Sequence, residues 1–488
     1  MVAAMFMPFE QIGSVEDVEF GVRWDAAALH DEVLRRAAVL SRRGIARGSL
    51  VAIMHGGSAR FLADLFAVWQ VGATAACLDP TLTASERKVL VRFMEPAVLL
   101  LDEAAGRCEF DAPALDLIAE LPATAEAPGT GFELDDPAIV LFTSGTTGQP
   151  KGAVLTFRAL LTRVRLNAQA IGEAALARTL VTLPSHFGHG LIGNTLTPLL
   201  SGGTIVLPAR GRPLAHSLGT MLDEHAITFM TSVPALWQLA LRTSPPPRRG
   251  ALVRVHVGSA PLATRLWSDI AAWSGAEVVN CYGLTETANW FAGASSRREG
   301  IAQGLVGKPW GGVAAVLDAA GIIRDMGEGE IVLRSPSMML GYFHRPDLTE
   351  AAYHEGWYRT GDRGHVNDRG EIRLTGRIKD EINRAGFKVQ PSEIDQLLES
   401  HPAIAEACVF GLADRASGEM VAAAVRLVDG ASISTEGLQA WCRERLRREA
   451  VPERWFMVDQ IPRTAGGKVS RELVRRTLLE DAPDDAVV

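Results

Sequence analysis

Ile139-Val140-Leu141-Phe142-Thr143-Ser144-Gly145-Thr146-Thr147-Gly148-Gln149-Pro150-Lys151-Gly152 is an apolar run that feeds directly into a loop of small residues. The uncharged, β-favouring side chains from Ile139 to Phe142 predict a buried strand. In the loop, Gly145 and Gly148 let the backbone come close to phosphate oxygens, while the hydroxyls of Thr143, Ser144, Thr146 and Thr147 and the ammonium of Lys151 supply donors. The stretch reads as a phosphate cradle. It is not a Walker A loop, because no Ser or Thr follows Lys151.

Around this strand, short apolar runs alternate with longer amphipathic stretches from about residue 50 to 280, which predicts an α/β fold of stacked βα units with mostly parallel sheets. Candidate strands cover 50–54, 74–78, 97–101, 139–142, 180–183, 204–207, 227–230, 253–257 and 278–280. Between them Phe61, Leu62, Leu65, Phe66 and Trp69 fall on one helical face. After Gly304 the pieces shorten (314–317, 330–334, 371–374) and Gly and Asp turns separate them, which predicts a small β-rich subdomain over about 304–378. An α+β unit over 379–488 is expected to follow. It would hold helices over about 391–400 and 434–449 and strands near 407–410 and 421–427. Residues 121–137 read as a surface connection, and the acidic 480–488 tail as disordered.

Composition narrows the function classes. The 488 residues exceed what one core supports and imply at least two domains. With 47% hydrophobic and 22% charged residues the chain is an ordinary globular one, and a net charge of −8 disfavours binding to nucleic acid. Arg443, Arg445, Arg447 and Arg448 cluster, but Glu444 and Glu449 interleave them, as on a solvated helix face. The 5 cysteines never form CxxC, so free thiols in a reducing cytosol are expected. No basic leader and no apolar run of the ~18 residues a membrane helix needs is visible, so a cytoplasmic protein without a membrane partner is expected. The 49 basic residues comprise only six lysines, Lys88, Lys151, Lys308, Lys379, Lys388 and Lys468. Each retained lysine is therefore worth individual scrutiny.

Further motifs follow in a fixed order: Tyr282-Gly283-Leu284-Thr285-Glu286-Thr287, then Gly356-Trp357-Tyr358-Arg359-Thr360-Gly361-Asp362, then Gly376-Arg377-Ile378-Lys379-Asp380, then Pro462-Arg463-Thr464-Ala465-Gly466-Gly467-Lys468. Together with the phosphate loop they resemble the acyl-adenylate-forming superfamily of acyl-CoA synthetases, stand-alone adenylation domains and luciferases. The resemblance spans residues 139 to 470 and is looser before that. It implies an ATP- and Mg²⁺-dependent enzyme that joins a carboxylic acid to AMP and then passes the acyl group to a thiol.

Each motif also has a physical reading. Tyr282 follows a strand, so its ring can stack on a purine while Asn280 and the Gly258-Ser259-Ala260 turn reach the base edge, with Gly283 beside it. Glu286, next to Thr285, suits Mg²⁺, which takes one or two protein oxygens plus substrate phosphates. Asp362 lies in a tight turn and, by its place in the series, would accept the ribose hydroxyls. Arg377 would contact the nucleotide by resemblance. Lys468, in a Gly-Gly-Lys loop, can bring a point charge onto the carboxylate and α-phosphate, where charge builds in the transition state. The resemblance implies that the 379–488 unit is a mobile lid with Lys379 as its hinge. Asn383 stands where some members carry a second lysine, so no basic role is carried over there.

The acid pocket is implied by Leu183-Pro184-Ser185-His186-Phe187-Gly188-His189-Gly190-Leu191, in which the aromatic-then-His order of many members is inverted at His186 and Phe187. With no third ligand in view, His186 and His189 read as pocket or core histidines rather than metal ligands. No Asp lies between Thr182 and Leu200 to pair a substrate ammonium, which disfavours a free α-amino acid. Trp237, Val257, Asn289, Trp290 and Phe291 suggest apolar or aromatic walls, and so a compact or aryl acid. CoA is the expected acceptor, its channel lined by Gly386, Phe387 and Lys388. A carrier-protein arm and a nitrogen nucleophile stay open as alternatives, and a nucleotide-binding pseudoenzyme is the reading of a different class.

Overall fold

The structure, a computed structural model, describes residues 12–102, 112–124, 131–143, 150–209, 213–384, 387–414, 417–464 and 468–480. Ser144, Gly145, Thr146, Thr147, Gly148, Gly386, Cys108 and the 481–488 tail lie outside the described residues, as do the side chains of Thr143 and Lys388.

The apolar run that opens the phosphate loop becomes the strand Pro137–Thr143, in the interior of a seven-stranded sheet. It pairs in parallel with Thr74–Cys77, which pairs in turn with Leu50–Ile53 and then Val98–Leu100. On its other side it meets Lys151–Thr156 in antiparallel register, Thr143 opposite Lys151. The loop therefore joins two antiparallel strands, not a strand and a helix. That is a structural difference from a Walker A loop beyond the missing hydroxyl after Lys151.

A second sheet carries the parallel run Val15–Asp17, Thr204–Leu207, Arg178–Leu180, Phe229–Ser232, Arg254–Val257 and Glu277–Leu284. The helix Ala59–Gln70 lies against the first sheet and is buried along nearly its whole length. Ser58 caps it by accepting the Phe61 N–H, and the Trp69 indole donates to the Ala138 carbonyl (2.8 Å), fastening the helix to the phosphate-loop strand. Burying Phe61, Leu62, Leu65, Phe66 and Trp69 contributes roughly 2–3 kcal/mol each before chain entropy is charged.

Two strand expectations shift. The strand expected over 180–183 ends at Leu180, because the Asn194 amide oxygen takes up the Thr182 N–H (2.8 Å) and Pro184 has no N–H to continue a ladder. The strand expected from Ile227 starts at Phe229. Ala226 has φ +47° and Ile227 N–H still closes the preceding helix on Leu222. The β-rich piece expected after Gly304 is present and continuous with the second sheet. Leu305–Pro309 bonds Asn289–Ser295 on one side and Ile372–Arg377 on the other, so its strands extend the second sheet edge to edge.

A five-stranded third sheet joins Phe387–Val389, Ile382–Arg384, Gly418–Leu427, Ile404–Asp414 and Arg454–Met457, with its own apolar core around Val409, Val425 and Leu438. The helix expected over 434–449 runs only over Thr435–Arg443. Arg445 stacks on Trp441 (4.5 Å) and donates to the Trp441 carbonyl (3.0 Å), which closes the helix, so of the clustered arginines only Arg443 lies on it. The four described cysteines, Cys77, Cys281, Cys408 and Cys442, are buried free thiols. Among the described residues no helix is long and apolar enough to cross a membrane.

Candidate active site

Glu286 sits in a one-turn helix, Thr285–Thr287, immediately past the end of Glu277–Leu284. The chain reverses tightly across that turn: a Cβ on Gly283 would lie 2.2 Å from the Asn289 carbonyl oxygen, so only glycine fits. Glu286 is buried, and its Oε1 accepts the Tyr342 phenol (2.6 Å) and lies 3.6 Å from Lys151 Nζ. The same ammonium stands 4.1 Å over the Tyr342 ring. Tyr358 bonds the Tyr342 oxygen (3.1 Å). Burial, then the negative Glu286, pushes the Tyr342 phenol up, so it stays a donor at neutral pH. The lysine that closes the phosphate-loop hairpin thus meets the carboxylate of the second motif.

A second carboxylate lies on the same sheet. The turn expected at Asp362 is instead part of the strand Trp357–Val366, where Asp362 pairs in register with Arg377 and the Thr360 hydroxyl accepts the Asp362 N–H (3.0 Å). Asp362 Oδ2 accepts from Tyr282 Oη (2.6 Å), and Oδ1 pairs with Arg377 Nε (2.8 Å). Burial pushes Asp362 up, and the Arg377 guanidinium opposes that. Asn280 is buried with its amide donating to the Leu305 carbonyl (2.8 Å), so that group ties strands together.

The third group gathers where parallel strands end, the usual ligand position in such sheets. His189 starts a π-helical stretch, His189–Leu196, in which the Thr195 hydroxyl donates to the Gly190 carbonyl (2.8 Å) and the Thr197 hydroxyl to the Ile192 carbonyl (2.7 Å). Its ring is held by Ser259 at Nδ1 (2.7 Å) and Thr231 at Nε2 (2.6 Å). Ser259, at φ +67°, belongs to the Gly258-Ser259-Ala260 turn. Burial, with the Lys468 ammonium adding to it, lowers His189 to about 3, so it is a neutral imidazole. Lys468 is itself lowered, by desolvation and then by Arg377. Lys468 therefore lies within electrostatic reach of both the His189 and the Asp362–Arg377 groups. Asn289 donates to the Gly188 carbonyl (3.0 Å), and Trp290 meets the His189 ring edge-on (5.3 Å).

Other expected residues fall elsewhere. His186 faces Asp79 (3.3 Å) and lies against Phe187 (4.1 Å between rings), apart from the His189 network. Trp237 and Val257 do not join the His189 side. Alternation along Arg254–Val257 turns Val255 and Val257 toward a helix-covered core, where the Trp237 indole donates to Ser232 (2.6 Å). Lys379 and Phe387 are exposed.

Three comparisons bear on this constellation. The sequence profile of the AMP-binding enzyme matches residues 13–343, and that of the AMP-binding enzyme C-terminal domain matches 393–468. The chain belongs to the AMP-binding enzyme family. The match reaches well before the motifs, to residue 13, and so includes the stretch that resembled the family more loosely. An oxalate–CoA ligase of Arabidopsis thaliana is 32% identical over 480 residues, 93% of each chain. A 4-chlorobenzoate–CoA ligase of Arthrobacter is 30% identical over 490 residues, 96% of this chain and 92% of its own. Among solved structures, o-succinylbenzoate CoA synthetase of Bacillus subtilis in complex with the acyl-adenylate intermediate superposes with TM-score 0.85 at 26% identity, covering 97% and 96% of the two chains. ATP-bound MatB from Rhodopseudomonas palustris gives TM-score 0.87 at 26% identity, covering 96% of each. This AMP-binding enzyme is an AMP-forming acid–thiol ligase of the acyl-CoA synthetase kind.

Sequence reasoning missed several residues of the site. Tyr342, Thr231 and Asp79 each hold a residue that was named, and Tyr358 in turn holds Tyr342. One signal was available for the tyrosines: the chain has only 4, Tyr282, Tyr342, Tyr353 and Tyr358. Three bond a site carboxylate or one another, and Tyr353 packs edge-on against Tyr358 (5.6 Å). No sequence signal marked Thr231 or Asp79.

Proposed function

We propose that this AMP-binding enzyme activates a compact carboxylic acid, aryl or short-chain, as its acyl-adenylate and hands the acyl group to CoA. The observation that carries the reading is the pair of carboxylate sites on one sheet, buried Glu286 facing Lys151 Nζ (3.6 Å) and buried Asp362 paired with Arg377 (2.8 Å). A carboxylate oxygen attacks the α-phosphorus of ATP, the bond to the β-phosphate oxygen breaks, and pyrophosphate leaves. The CoA sulfur then attacks the acyl carbon and AMP leaves. Lys468 offsets charge on the carboxylate and α-phosphate during the first step, Lys151 and the phosphate loop hold the triphosphate, and Asp362 with Arg377 orients the ribose. Tyr282 and the Gly258-Ser259-Ala260 turn form the base site, with Asn280 bracing the strands beneath it.

The residues present fit Mg²⁺ of one kind only. Among the described residues no group of three His, Cys, Asp or Glu could cage a metal, whereas Glu286 offers one buried carboxylate beside Lys151. Glu286, with Thr285 beside it, would hold the ion together with phosphate oxygens and water, and the ion would offset phosphate charge. Lys379 is proposed as the hinge of a lid over 379–488, and Phe387, with Gly386 and Lys388, as the lining of the CoA channel. The relatives named for oxalate and 4-chlorobenzoate favour a small acid.

The test is pyrophosphate release across aryl and short-chain acids, with mass spectrometry of the product formed with CoA. Acid-dependent pyrophosphate release with an acyl-CoA product is expected. Release without any acyl-CoA would transfer the acceptor role to another nucleophile.

A further inference from the structure

His256 is fully buried on the strand Arg254–Val257, directly opposite Thr231, the residue that bonds His189. Its ring lies edge-on to Trp290 (4.7 Å) and Phe229 (5.0 Å), so His189 and His256 both abut the Trp290 indole. Both nitrogens of His256 and the indole Nε1 of Trp290, itself 3% exposed, have no hydrogen-bond partner among the described residues. Three buried polar atoms in one cluster without partners are a costly arrangement for an apolar wall, and such groups in native proteins ordinarily find an acceptor or donor. Desolvation, reinforced by Arg254 and His189, holds His256 uncharged, so the cluster offers neutral N–H groups.

We infer that His256 and the Trp290 indole form a polar end to the acid pocket behind His189, and that the acid carries a second oxygen acceptor distal to the reacting carboxylate. This rests on the acid-ligase reading above and narrows its substrate class. A plain alkyl or aryl acid would leave the donors unpaired, whereas a distal carboxylate, carbonyl or hydroxyl oxygen accepts from them. Discrimination built on such pairing is steep, because the analogue lacking the oxygen strands the protein's own polar groups.

The experiment compares kcat/KM for pyrophosphate release within matched sets: propanoate, 3-hydroxypropanoate and propanedioate, and benzoate, 4-hydroxybenzoate and benzene-1,4-dicarboxylate. In the wild-type enzyme, an acid with the distal oxygen is expected to exceed its parent at least about tenfold. The hydroxyl and carboxylate arms identify which oxygen is taken. Trp290→Phe, which keeps an aromatic ring and removes the N–H, and His256→Phe should collapse that preference toward unity, read as the ratio of kcat/KM values within each variant whatever its absolute activity. If His256→Phe does not fold, Trp290→Phe and the wild-type ratios still decide. Equal or better use of the parent acids by wild-type enzyme would overturn the inference while leaving the ligase reading intact, as would a preference that survives both substitutions. No release with any acid would instead overturn the ligase reading beneath it.

Discussion

Tyr342 carries a prediction at the scale of one hydroxyl. Its phenol fixes Glu286 while its ring supports Lys151, so Tyr342→Phe keeps the ring contact and removes only the bond to the carboxylate. Charge-assisted bonds of this kind are worth about 1.5–3 kcal/mol, and part of that is regained from water. Steady-state kinetics should show kcat/KM for MgATP falling roughly tenfold with the acid KM little changed. A second prediction concerns Glu399, which accepts the Ala407 N–H (3.3 Å) in the C-terminal core. Burial, with Asp395 adding like charge, raises it from 4.5 to about 8. The folded state thus binds the proton more tightly than the unfolded one. The stabilisation is complete below about pH 4.5 and is lost as pH rises through about 8. Glu399→Gln should flatten the fall in thermal midpoint between pH 5 and 9. At this scale scarcity made residues legible: Lys151 and Lys468 stood out among six lysines, while Lys88 and Lys308 are exposed. Tyr342 was not named, since it lies outside every quoted motif and meets Glu286 from 56 residues away.

Elements were legible where their signal is local. The run from Ile139 to Phe142 became a buried strand, and the face of Phe61, Leu65 and Trp69 became a buried helix. The π-helical stretch His189–Leu196 was not legible, because hydroxyl bonds to carbonyls five residues back leave no periodic trace. Gly193 makes its consequence testable. A Cβ there would come within 2.9 Å of both the Trp290 ring and the Asn289 amide. Gly193→Ala is therefore expected to cost about 1–3 kcal/mol, seen as a lower thermal midpoint, and to reduce acid-dependent turnover by displacing Trp290. An unchanged midpoint would mean that the turn yields without strain.

In the whole molecule, the α/β class followed from alternating patterns, but strand order did not. Nothing in the local sequence says that Leu305–Pro309 bridges the parallel strands to those carrying Asp362 and Arg377. That bridge brings Tyr282 and Asp362, 80 residues apart, within hydrogen-bond distance. The C-terminal unit brings Lys468 within electrostatic reach of His189 and Arg377, and its Arg463 reaches Gln238 of the large unit (3.5 Å) and pairs with Glu406 of its own. The account therefore assigns the whole assembly to one event, attack of a carboxylate oxygen on the α-phosphorus. That event leaves an isotopic record. With an acid used by the enzyme and labelled with ¹⁸O in its carboxylate, turnover with ATP and CoA should place one label in each AMP formed and none in pyrophosphate. Label in inorganic phosphate, or AMP without label alongside acyl-CoA, would contradict it.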